Sequence, residues 1–200
     1  MSRHRSPPAS YLIRPAVLDD ALEISEIHYL GWKSTYAGVV DARQIEAKRP
    51  EKRVDYWKQK MADGRNLVLV GMTEPDGPIL GFIYGGPVLK HEVTREIPGQ
   101  PKLRDFDCEI NIVHCRHAAQ GKGLGRALMA EIAHHWQVGG KKAVMLWAFR
   151  DNDYRKLYDK LGGTVFAEGV DEGAPDVAYG WTDLNVLIGA CRSGSGPRRV

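Results

Sequence analysis

The residues best placed to do chemistry crowd into one stretch, Cys108 to Trp136, which reads CEINIVHCRHAAQGKGLGRALMAEIAHHW. Gly121, Gly123 and Gly125 fall at alternate positions, with Lys122 between the first two, Gln120 before them and Arg126 after. Ahead of the glycines, alternating apolar Ile110 and Ile112 predict a strand; behind them, Leu124, Ala127, Leu128 and Ile132 predict a helix. The glycines therefore fill a turn that ends at a helix N-terminus, where unpaired N–H groups and a partial positive charge attract an anion. Without a Cβ, glycine lets the backbone take unusual dihedrals and approach a large phosphate-bearing ligand. The turn is no P-loop, because Lys122 is followed by Gly123 and not by a hydroxyl for magnesium, and no G-x-G-x-x-G, because Arg126 takes the last glycine's place.

What the stretch does match is Q-x-x-G-x-G, Gln120 to Gly125, with an acidic strand residue, Glu109, eleven positions before the glutamine. This arrangement resembles the acetyl-coenzyme A loop of the GNAT superfamily of N-acetyltransferases, and the resemblance runs from about Tyr11 to Leu187. It implies that the amides of Gln120, Gly121, Lys122, Gly123 and Gly125 wrap the coenzyme's pyrophosphate, with the charges of Lys122 and Arg126 available to phosphate. Gln120 stands where arginine is commoner and His117 where proline is frequent, and neither difference removes a backbone amide.

Acetyl transfer from a thioester to an amine needs a neutral amine, a stabilised oxyanion and a proton for the departing thiolate. By resemblance, Glu109 is the carboxylate that deprotonates the amine, often through water, although on its own it reads as a solvated strand residue. Tyr158 is by resemblance the phenol that protonates the coenzyme's sulfur; flanked by Leu157 and Leu161 it would otherwise be a core residue with a polar tip. Tyr154 is its rival. Backbone groups of Val113 and Cys115 would hold the pantetheine arm, the Val113 amide polarising the thioester carbonyl. Asn152 resembles a coenzyme-contacting asparagine, a role compatible with capping a helix. Trp32 and Tyr36, at i and i+4, lie in the region where the family builds its acceptor pocket. The resemblance thus implies acetyl-CoA as cosubstrate and a primary amine of a small molecule or peptide as acceptor, joined directly in a ternary complex. The alternative is a non-catalytic coenzyme A-binding or regulatory module on the same fold; the presence of both Glu109 and Tyr158 favours the enzyme.

Two other chemistries are weaker. A ping-pong route through Cys115 would need an activating base, His114 or His117, whereas a strand cysteine is usually inert packing. A metal is not expected: strict alternation sends Cys108 and His114 to one face and Cys115 and His117 to the other, so the four do not converge, and His134 and His135 diverge on a helix.

Composition narrows the partners. The formal charge is +3, but Arg3, Arg5, Arg192, Arg198 and Arg199 lie in acid-free tails, and without them 23 basic residues face 25 acidic ones. That leaves a body of charge −2 with no basic footprint for nucleic acid. No apolar run is long enough to span a membrane and the first residues carry no apolar leader, so no membrane partner is expected. Three cysteines make no even framework, which suits a reduced, cytoplasmic setting. A homodimer is left open.

The elements that must position these residues follow from periodicity. Residues 1–10 read as a disordered tail, 11–188 as a single N-acetyltransferase domain and 189–200 as a flexible tail. Within the domain a strand at Tyr11 to Ala16 precedes a helix capped by Asp19 or Asp20. A second helical region, Asp41 to Met61, is split at Pro50. Asn66–Met72 and Ile79–Val88 form a hairpin through E-P-D-G-P, and Lys90 to Arg104 is a polar loop. The apolar run Ala143–Ala148 predicts a mid-sheet strand. A helix capped by Asp151 or Asn152 and closed by Gly162-Gly163 follows, with last strands at Thr164–Glu168 and Val177–Leu184. The order predicts an α/β fold with a mixed, mostly antiparallel central sheet and helices on both faces. The resemblance adds that the strand before the glycine turn and the strand after the central helix splay apart to admit the pantetheine arm.

Overall fold

The structure, a computed structural model, describes residues 11–193. One sheet organises them, its strands being β1 (Leu12–Pro15), β2 (Leu67–Met72), β3 (Gly81–Gly86), β4 (Val93–Glu96), β5 (Cys108–Cys115), β6 (Val144–Phe149), β7 (Thr164–Asp171) and β8 (Ala174–Trp181). They lie in the order β1-β2-β3-β5-β6-β8-β7-β4, and every neighbouring pair is antiparallel except β5 with β6. The helices are α1 (Ala21–Thr35), α2 (Ala42–Glu46), α3 (Pro50–Ala62), α4 (Leu124–Val138), α5 (Arg155–Lys160) and α6 (Leu184–Arg192).

Local chemistry sets most boundaries. Pro50 opens α3, where its missing N–H has no helical acceptor to lose, and Asp41 caps α2 by accepting the Arg43 N–H at 2.8 Å. Asp20 occupies the N-cap of α1, but its carboxylate takes Arg14 at 2.7 Å and the Val17 N–H at 2.8 Å and leaves the helix's own N–H groups alone. Asn152 lies before α5 and accepts the Tyr154 N–H at 2.9 Å, so Tyr154 stands at the cap and Tyr158 within the helix. At the far end Gly162 takes φ 80°, and the N–H groups of Gly162 and Gly163 return to the carbonyls of Asp159 and Tyr158.

Apolar residues cover both faces of the sheet. On one, Ala21, Ile24 and Ile27 of α1 and Trp57 of α3 pack on Val68, Val70, Phe82 and Tyr84. On the other, Leu128 and Ile132 of α4, Leu187 of α6 and Tyr158 of α5 pack on Ile83, Ile110, Leu146 and Tyr179. The last strand, expected at Val177–Leu184, stops at Trp181, because Leu184 opens α6, and expected and observed elements differ in two further places. The polar loop from Lys90 contains β4, a short edge strand held by pairing with β7; its side chains are mostly exposed, so no apolar pattern marks it. The flexible tail expected from 189 is helix as far as Arg192. Asp183 caps this helix, and Cys191 is buried against the α4 side of the core. The expected tail at 1–10 and the remainder of the C-terminal one lie outside the described residues.

Candidate active site

The site begins where two strands part. β5 and β6 share register only at Cys108↔Val144, Glu109↔Met145 and Ile110↔Leu146. Beyond that, β5 stays with β3 as far as Cys115↔Gly81, while β6 stays with β8 as far as Phe149↔Asp176. The V between them opens at a bulge: Gly85 pairs with Ile110 and Tyr84 with Ile112, which leaves Asn111 as the extra residue. The bulge reverses the alternation. Cys108, Ile110, Val113 and Cys115 pack on the α4 side, whereas Ile112 packs on the α1 side, where the His114 ring meets Phe82 and His28. The expectation that Cys108 and His114 share a face is therefore corrected, and the bulge places Glu109 and His114 on one cavity.

On the α4 side a cavity of about 380 Å³ is lined by Val113, Cys115, Gln120, Gly121, Gly123, Gly125, Arg126, Asn152, Tyr154 and Tyr158, among others. Gly121 and Gly123 have φ of 71° and 95°, and nothing lies within 4 Å of where a Cβ would stand on either. The glycine turn thus presents bare backbone to open space at the N-terminus of α4, the shape an incoming phosphate group requires. Gln120 braces the turn, donating Nε2–H to the Cys115 carbonyl and accepting the Tyr154 hydroxyl, both at 3.2 Å. Among the described residues no carboxylate pairs with Lys122 or Arg126, so both charges stay available. The Lys122 side chain does not line the cavity; its carbonyl accepts the Tyr11 hydroxyl at 3.4 Å. The residues present fit coenzyme A, with the turn for its phosphates and the V for its thiol-bearing arm.

On the α1 side a second cavity, about 310 Å³, is walled by Trp32, Tyr36, Tyr84, Trp147 and Phe149 and carries charged residues from five segments of the chain. Glu109 is 2% exposed, and its carboxylate accepts the Leu89 N–H at 2.8 Å and meets His91 Nε2 at 2.9 Å through both oxygens. Lys48 pairs with Glu172 at 3.1 Å and lies 4.3 Å from the Trp32 ring centre, tying the stretch before α3 to the β7–β8 turn. Glu172 has φ 50°, the one non-glycine with positive φ among the described residues. Asp176 is 3% exposed with one oxygen unpartnered; burial first, then the neighbouring Asp171, push its carboxyl up to about 6. Of the buried side-chain polar atoms that lack a partner, all but the Trp57 indole belong to residues on this cavity, which is the pattern of a site awaiting a polar ligand. Nothing in the sequence marks His91, Lys48, Asp171, Glu172 or Asp176 as members of one site. They come from loops and strand ends whose composition is that of any solvated surface.

Five residues line both cavities: Tyr36, Val113, His114, Asn152 and Tyr158. Tyr158 is thus in the wall between them, packed on Tyr179 at 5.5 Å, whereas the half-exposed Tyr154 reaches only the first cavity. Burial raises the Tyr158 phenol far above its ordinary value and the Tyr36 phenol to about 12, so both hold their protons at neutral pH. Trp32 and Tyr36 meet edge to face at 5.0 Å on the second cavity. Burial pushes the Cys115 thiol up to about 12, the thiol lies on the opposite face from His114, and among the described residues neither His114 nor His117 hydrogen-bonds it.

Comparison with known proteins agrees with this arrangement. Residues 101–170, which span β5, the glycine turn, α4, β6 and α5, match the FR47-like protein family. The chain is 25% identical over 179 residues to the uncharacterized N-acetyltransferase YuaI of Bacillus subtilis, covering 88% of this chain and 95% of that one. Its fold is shared with the PaiA N-acetyltransferase of Thermoplasma acidophilum in complex with coenzyme A (TM-score 0.62, 20% identity, 86% of this chain and 99% of that one). It is also shared with yncA of Salmonella typhimurium with its cofactor acetyl-CoA (TM-score 0.59, 23% identity, 86% and 94%).

Proposed function

We propose that the chain is an N-acetyltransferase of the GNAT type, as its match to the FR47-like family and its likeness to the N-acetyltransferase YuaI support, and that it moves an acetyl group from acetyl-CoA directly to a primary amine in a ternary complex. The observation that carries this reading is the pair of cavities meeting at one wall. The thioester comes from the α4 side and the amine from the α1 side, and the reacting atoms are held together without a covalent relay. Gly121, Gly123 and Gly125 with the α4 N-terminus hold the phosphates, aided by Arg126 and, from outside the cavity lining, Lys122. Gln120 keeps the turn in place. Val113 and Cys115, left without β6 as a partner past Ile110, offer backbone groups to the pantetheine arm, and the Val113 N–H serves the developing oxyanion. Asn152 closes the arm's path.

Tyr158 supplies the proton to the departing sulfur, since its phenol is protonated and faces both cavities. Glu109, fastened to His91, sets a negative charge on the acceptor cavity and draws in an amine that arrives as ammonium. Trp32 and Tyr36 wall the acceptor's apolar part. The test is thiol release from acetyl-CoA with a panel of primary amines, together with initial-rate kinetics and mass spectrometry of the enzyme. Release with intersecting reciprocal plots and no acetylated protein is expected. Coenzyme binding by calorimetry with no release for any amine would make the chain a binding module; accumulation of an acetyl-enzyme would end the ternary mechanism.

A further inference from the structure

We propose that His114 takes the proton from the acceptor nitrogen as that nitrogen attacks the thioester. The inference rests on the transferase reading above. A proton acceptor must come within about 3 Å of the attacking nitrogen, and the nitrogen meets the carbonyl at the wall common to both cavities. On that wall Val113 and Asn152 contribute amides, Tyr36 and Tyr158 contribute phenols that keep their protons, and His114 alone contributes a basic lone pair. Glu109 lies five positions earlier, roughly 13–16 Å along a strand that carries one bulge. It lines only the acceptor cavity, and both its oxygens are engaged.

The imidazole is held in a made-to-measure box. A Cβ on Gly31, inside α1, would stand 2.3 Å from His114 Nδ1, so only glycine lets the ring lie against the helix backbone. A glycine inside a helix is otherwise a liability, and here it has a purpose. The remaining sides are His28 at 5.8 Å between ring centres, Phe82 at 6.2 Å and Tyr36 at 6.5 Å. None of these hydrogen-bonds it: among the described residues neither ring nitrogen of His114 has a hydrogen-bond partner. Nδ1 lies on the α1 backbone, which leaves Nε2 as the nitrogen uncommitted to any protein group. The titratable groups that meet the ring are His28 from α1 and Tyr36 at the α1 C-cap, Tyr158 of α5 lines the same two cavities, and among the described residues no ion pair includes the ring. Burial pushes the imidazole down to about 4, which keeps it neutral with its lone pair available throughout the physiological range.

The step balances without another reagent. The bound ammonium first gives one proton to water in the acceptor cavity; the neutral amine's lone pair then forms the C–N bond, the N–H proton that this bond makes acidic passes to the imidazole, the C–S bond breaks, and the sulfur takes the Tyr158 proton. The imidazolium, disfavoured by the same burial, passes its proton to water in the acceptor cavity, and Tyr158 regains one from solvent.

The test uses the full chain, acetyl-CoA and the best amine of the panel. His114→Ala should lower kcat by about 10²-fold, leave coenzyme A affinity unchanged by calorimetry, and regain activity when free imidazole is added. Gly31→Ala retains the histidine but pushes its ring aside, and should lower kcat with coenzyme affinity preserved and the protein still folded. Full kcat in either folded variant overturns the proposal. So does loss of activity in His114→Ala that imidazole leaves untouched, since that is the behaviour of a packing residue. It is equally overturned if Glu109→Gln alone produces the loss and high pH recovers it. If the wild type transfers acetyl to no amine, the transferase reading itself fails and takes this inference with it.

Discussion

Tyr158 illustrates how a single side chain acquires a role from what surrounds it. The ring packs on Tyr179 and Trp181 as a core residue would, and the hydroxyl end lies where two cavities meet. Tyr158→Phe should keep that packing and coenzyme affinity while lowering kcat by about 10²-fold, with little recovery at high pH because the lost group is an acid. Tyr154→Phe should act differently, weakening coenzyme binding through the loosened Gln120 and leaving kcat nearly alone. Should the two phenotypes exchange in steady-state kinetics, the donor is Tyr154. Asp176 gives a prediction about stability. Its carboxyl is held up at about 6 against an ordinary 3.8, so the folded state binds the proton more tightly than the unfolded chain. Stability from this group is complete below about pH 4 and lost as pH rises through 6. Asp176→Asn should therefore raise the melting temperature relative to wild type more at pH 7.5 than at pH 4, and a difference independent of pH would show that the carboxylate is well solvated.

At the scale of elements, the turn before α4 is where sequence and chemistry meet most directly. Gly123 takes φ 95° and faces open space, so Gly123→Val imposes a strained backbone and puts a branched side chain where phosphate must come. The variant should lose at least ~2 kcal/mol of coenzyme A binding by calorimetry. At saturating coenzyme the wild type should melt several degrees higher than without it, since a ligand at 100 times its Kd adds about 2.7 kcal/mol, and the variant should show little of that shift. An unchanged affinity in folded Gly123→Val would remove the turn from the site. The V itself depends on β5 having one residue more than β3 at Asn111. Without that bulge Glu109 and His114 would fall on opposite faces, and one of them would leave the acceptor cavity.

At the scale of the whole molecule, the chain's last helix completes the face that carries α4. Leu184, Leu187, Ile188 and Cys191 are buried there. Ending the chain after Gly189 removes Cys191 and the last turn of α6, a loss of about 1–2 kcal/mol of apolar burial. At roughly 2–4 °C per kcal/mol for a chain of this size, the melting temperature should fall by about 2–8 °C. A truncated protein that melts with the wild type would mean that this turn packs no better than a tail.

What the amino-acid sequence determined by itself is what nearest neighbours along the chain decide. The glycine turn and its helix, the break at Pro50, the glycine stop after α5 and the apolar mid-sheet run are written in residues a few positions apart, because caps, turns and periodicity are local energies. The same locality set the glycines of the turn at a helix N-terminus, and the resemblance to the GNAT loop added Gln120 and Arg126, which line one cavity with them. Tertiary structure decided the rest. The edge strand at Val93 forms because β7 offers it a partner, and the helix through Cys191 persists because α4 covers it. The acceptor cavity draws His91, Lys48, Glu172 and Asp176 from places far apart in the chain. Above all, one unpaired residue at Asn111 shifts every later side chain of β5 to the other face. Alternation read along a single strand cannot register such a shift, because a bulge is a property of two strands and their misfit, and so His114 reaches the wall shared by the two cavities only once the sheet has formed.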